Sequence, residues 1–98
     1  MPRLFITIDP RELRVAPSRP VADPGKLHRQ IAAYGSSVVG MPPILVYEAF
    51  DGVFVIQDGM TRATRTAKLS PGTMVTIEVL GKLKRSYASE PTIGETLP

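Results

Sequence analysis

The residues best placed for chemistry lie in one stretch, VIQDGMTRATRTAKL, residues 55–69. An apolar strand runs into Asp58-Gly59, and a helix opens on Met60, Thr61 and Arg62. The first turn of a helix presents free backbone N–H groups and a partial positive charge, which suits a phosphate. Gly59 lets a ligand approach the backbone closely, and Arg62 offers a planar fork that grips phosphate bidentately. Met60, Ala63, Thr64 and Ala67 fall on one helix face, so Arg62, Arg65 and Thr66 are expected to point outwards, with Arg65 adding charge to an anion site. A second use of the same residues stays open. Asp58 can cap the helix by accepting from the N–H of Met60 or Thr61, and a carboxylate there would repel an anion.

Other chemistries are more tightly bounded. The chain has no cysteine, which removes disulfides, thiolate catalysis and cysteine-ligated zinc. Its single histidine, His28, lies on the flank of an amphipathic segment and has no second histidine to share a metal. Phosphodiester hydrolysis needs a metal held by carboxylates, or a general base. Asp9, Asp51 and Asp58 sit at strand ends and turns, and Glu48 and Glu78 read as surface strand residues. No two carboxylates share a face, so a metal-dependent nuclease is the least favoured reading. The net charge is +3, and Lys26, Arg29, Arg62, Arg65, Lys82, Lys84 and Arg85 form a candidate basic surface for DNA or a protein partner. Aromatics make up only 6% of the chain, too few for a base-stacking groove.

These residues must be positioned by a small fold. Ninety-eight residues, 43% hydrophobic and 21% charged, make one folded domain rather than a disordered chain. No apolar run approaches the roughly 20 residues that span a bilayer. No leader pattern opens the chain, so a cytoplasmic protein is expected. Residues 3–9 alternate as a strand that Pro10 ends. Residues 10–25 are proline-rich and read as a loop with an extended piece at Leu13–Val15. Residues 23–35 carry both helix end signals: Asp23 as cap, Pro24 at the first position and Gly35 at the exit. Leu27, Ile31 and Tyr34 form its core stripe. The apolar runs at 44–47 and 53–56 are joined by a turn at Asp51-Gly52 and read as strands covered on both faces. A helix follows over 60–69, and then a strand over 73–80. Residues 86–98 have no pattern and are expected to fray. The fold class is α+β: a mixed sheet with two packed helices.

Read as a whole, residues 3–80 resemble the ParB/sulfiredoxin-like domain. The matching pieces are APSRP (16–20), LHRQIAAYG (27–35), PPILVY (42–47), VFVIQDGMTRATRTAKL (53–69) and TMVTIEV (73–79). The resemblance implies a domain over 1–85 with a flexible tail over 86–98, and nucleotide phosphates bound at Gly59, Met60, Thr61 and Arg62. Arg65 and Arg19, in the proline-rich loop, would help neutralise them. The implied cofactor is a nucleotide, CTP or ATP, with magnesium. Two departures bear on activity. Met60 stands where partition proteins carry the acid tied to CTP hydrolysis, and where sulfiredoxin carries its cysteine. The resemblance therefore implies a non-catalytic nucleotide- or phosphate-binding module, with a nucleic-acid or protein adaptor as the alternative.

Overall fold

The computed structural model of the chain describes residues 3–18 and 21–98. The elements follow the order β1 (Leu4–Ile8), a 3-10 turn η1 (Pro10–Glu12), α1 (Pro24–Tyr34), β2 (Ile44–Glu48), β3 (Phe54–Asp58), α2 (Met60–Leu69) and β4 (Val75–Lys82). The strands form one four-stranded sheet in the order β1-β4-β2-β3. β1 is antiparallel to β4, β2 is antiparallel to β3, and β2 runs parallel to β4. The domain is thus α+β with a mixed sheet and two packed helices.

Local chemistry explains most of the boundaries. The Asp23 side chain accepts from the N–H of Gly25 and Lys26 at 2.8 and 3.2 Å, and Pro24 opens α1 behind it. These two N–H groups hold the Asp23 carboxyl below its ordinary pKa. Gly35 ends the helix at φ 57°, a region that glycine enters without penalty. Alternation along β4 sends Val75 and Ile77 into the core, where Ile77 lies opposite Ile6 on one side and beside Ile44 on the other.

The core lies between one face of the sheet and α2. Ile44, Val46 and Ile77 from the strands meet Ala63 and Ala67, whose small side chains let the helix sit close. β2 and β3 were expected to be covered on both faces, but Leu45 and Tyr47 are only half-buried. The second face of the sheet carries Phe5, Glu78 and Leu80 and is largely open. Glu78 is not a free surface residue, because Arg3 grips it through two bonds of 2.7 and 2.9 Å. α1 packs chiefly against α2. Its stripe is correspondingly shallow: Leu27 is buried, but Tyr34 is 62% exposed rather than in the core.

The segment expected to fray is built in. Arg14 bridges to the outer edge of β3, its N–H donating to the Phe54 carbonyl and its carbonyl accepting from Ile56. Val15 N–H donates to the Pro91 carbonyl at 3.0 Å, and Ile93 N–H to Leu13 at 2.8 Å. Leu13, Val15 and Ile93 are fully buried. The Arg14 guanidinium ties the same segment through the carbonyls of Ala88 and Glu90. Residues 91–94 are thus bonded to residues 11–15, and Ile93 joins the core.

Candidate functional site

The turn between β3 and α2 is set by Gly59, at φ 103°. Any side chain there would be strained, and its Cβ would come within 2.8 Å of Arg62 Nη2 and 3.2 Å of Ile44 Cγ1. The glycine thus serves both the turn and the close approach of an arginine. The first backbone bond of α2 runs from Ala63 N–H to the Gly59 carbonyl, and among the described residues no side chain caps the N–H groups ahead of it. The capping role considered for Asp58 is not what the structure contains. Asp58 ends β3, and its carboxylate turns to Arg62 at 4.0 Å, with the side chain 63% exposed. Asp58 lies one position too early: Gly59 holds the flanking position from which a cap would reach the second or third helical N–H, and it has no side chain.

Arg62 folds back over the turn. Its Nη2 donates to the Pro43 carbonyl at 3.1 Å, and its Nε is buried without a partner among the described residues. In front of it lies a polar cavity of about 200 Å³ lined by Lys26, Gln30, Asp58, Gly59, Met60, Thr61 and Arg62. Lys26 and Gln30 are four residues apart on α1, so they share the face that looks onto this helix start. A second cavity of about 260 Å³ adjoins it, shares Gln30 and Arg62, and continues past Tyr34, Ser37 and Met41 to Arg65. Gly59, Met60, Thr61 and Arg62, singled out from the sequence, line the first cavity. Sequence spacing could not reveal Lys26 and Gln30, because their contribution depends on how α1 crosses α2.

Two expected site features are corrected. Arg65 does not face outwards: it is 2% exposed. Its Nη1 donates to the carbonyls of Gly35 and Ser37 at 2.9 and 2.7 Å, its Nε reaches Gln30, and its guanidinium lies over the Tyr34 ring. It clamps the exit of α1 and the loop that follows. Thr66 is fully buried, and its hydroxyl donates to the Arg62 carbonyl at 3.0 Å. The remaining expected ligand residue, Arg19, lies outside the described residues.

The carboxylates named for a nuclease are dispersed. Asp9 accepts from Arg11 N–H, Asp51 from the N–H groups of Tyr87 and Ala88, and Asp58 lies beside Arg62. Among the described residues, no three His, Cys, Asp or Glu side chains converge as a metal site requires. The candidate basic surface is also divided. Lys26 and Arg62 lie where β2 begins, whereas Lys82 pairs with Glu48 where β2 ends, about 15 Å away by strand rise. An apolar cavity of about 420 Å³ lies along Val21, Pro24, Leu27, Ile31 and Pro98. Lys68 at its rim donates to the Pro98 carbonyl, and His28 also lines it. No helix among the described residues is long and apolar enough to cross a membrane. Comparisons of the chain with protein-family models, with curated proteins and with solved structures find no match.

Proposed function

We propose that this chain is a non-catalytic binding module of the ParB/sulfiredoxin-like type. It would hold a phosphate-bearing ligand, such as CTP or ATP with magnesium, at the start of α2. One observation carries the reading: α2 opens without a side-chain cap into a cavity lined by Lys26, Gln30, Thr61 and Arg62. Uncapped N–H groups with two cations alongside are what a phosphate needs. The cavity of about 200 Å³ has the scale of a phosphate group. With its neighbour it reaches the roughly 300–1,000 Å³ typical of small-molecule sites. Magnesium commonly binds through one or two carboxylates together with substrate phosphates, and Asp58 is the carboxylate at this cavity. No residue lining the cavity is a plausible base for hydrolysis except Asp58, which faces Arg62. The division of the cations between two ends of the sheet counts against a single basic surface for DNA.

The test is calorimetric and thermal titration with CTP, ATP, GTP and inorganic phosphate, with and without magnesium. Ligand at about 100 times its dissociation constant should add roughly 2.7 kcal/mol and raise Tm by several degrees. Lys26→Ala is the control, since Lys26 is exposed and its ammonium makes no hydrogen bond among the described residues. It should weaken binding roughly fivefold, the ~1 kcal/mol of a partly exposed ion pair, without altering stability. No shift with any of these ligands, or equal affinity in Lys26→Ala, overturns the reading.

A further inference from the structure

The two edges of the sheet are treated differently. Beyond β3 the edge is covered by the Arg14 segment, which is in turn bridged to Thr92. At the other side β1 closes the sheet order, and among the described residues it pairs with β4 alone. β1 reads Leu4-Phe5-Ile6-Thr7-Ile8, with no charge and no proline. Its register with β4 is regular, whereas both pairings of β2 contain a shift. Edge strands are ordinarily protected by an inward charge, a proline, a bulge or a covering segment, and among the described residues β1 has none of these. Leu4 and Phe5 are 52% and 46% exposed. The flanking residues carry opposite charge: Arg3 before the strand, Asp9 after it, the latter still in extended backbone.

We propose that β1 is a self-association edge. It pairs antiparallel with β1 of a second copy about a two-fold axis at Ile6, joining two four-stranded sheets into one continuous sheet. Face and charge select this register. Arg3, Phe5, Thr7 and Asp9 fall on the open face, as the Arg3–Glu78 pair and the Arg3–Phe5 stacking at 4.9 Å also require. Ile6 then meets its own copy, Leu4 is covered by the partner's Ile8, and Phe5 lies beside the partner's Thr7. Arg3 comes opposite the partner's Asp9 at both ends. A parallel pairing would set Arg3 against Arg3 and Asp9 against Asp9. A one-residue slip would turn the apolar face outwards. The assembly closes, because among the described residues each copy has one bare edge and uses it.

The full chain is tested by sedimentation velocity from roughly 1 to 300 µM, a range that brackets weak and moderate association. Phe5→Lys and Thr7→Glu alter only the open face, so far-UV circular dichroism should be unchanged. Each alone should weaken dimerisation about tenfold or more, since it sets a charge against an uncharged partner side chain. The double variant places the introduced ammonium opposite the introduced carboxylate twice per dimer and should restore association. A wild-type chain that stays monomeric overturns the proposal. So does a dimer indifferent to both single variants, or a double variant that remains as weak as either.

Discussion

Arg62 and Arg65 lie one turn apart on α2, and the crossing of α1 gives them different work. Arg65 is sealed beneath Tyr34 and holds two carbonyls at the exit of α1. Arg65→Ala would leave the Gly35 and Ser37 carbonyls without this donor, each at about 1–3 kcal/mol. Stability should fall by about 3 kcal/mol, read as a lower urea midpoint, and Arg65→Lys should recover only part of it because an ammonium lacks the fork. Arg62 keeps its head at the cavity, with Asp58 as its neighbour. Asp58→Asn should therefore tighten binding of inorganic phosphate without magnesium about threefold by removing a repelling charge, and should lessen any gain in affinity that magnesium brings. Its urea midpoint should stay unchanged, whereas loss of a true cap would cost about 1 kcal/mol.

The strongest element-level result is the docking of the last segment. Ile93 is fully buried among Leu13, Val15 and Ile77. Ile93→Ala should cost about 3 kcal/mol, measured by urea denaturation, as for other large-to-small core changes. A loose tail would predict no change. Nothing periodic announces this segment. Its bonds run through isolated pairings of residues 91–94 with residues 11–15, some 80 positions away in the chain. Short, non-repeating pairings leave no pattern for alternation to reveal. The regular elements behave otherwise. β1, α1, α2 and β4 lie within about two residues of where alternation, caps and breakers place them, because those signals act between near neighbours.

Across the whole molecule, several carboxylates are held in their charged form. Hydrogen bonding to Arg3 keeps Glu78 below its ordinary pKa, and the N–H groups of Lys26 and Gly25 do the same for Asp23. Bonds from Thr92 lower Glu95 likewise. A depressed carboxylate contributes stability that is fully present above its unfolded value, near pH 4, and is lost as pH falls through its folded value. The urea midpoint should thus be flat at neutral pH and fall from about pH 5 towards pH 2. Glu78→Gln should show a shallower fall, because its share no longer titrates.

The amino-acid sequence by itself determined the α+β class, the regular elements and the glycine turn with Arg62 at a helix start. Each of these follows from the side-chain period, from a cap, or from a residue with unusual backbone freedom. The tertiary structure alone decided that Asp58 does not cap, that Arg65 is a buried clamp, and that Lys26 and Gln30 complete the cavity. It also decided that Ile93, near the end of the chain, belongs to the core. Each of these depends on which distant surfaces meet. An outward arginine and a buried one have the same helical position until a second helix crosses it, and that crossing is set by packing between elements rather than by the residues of either one alone.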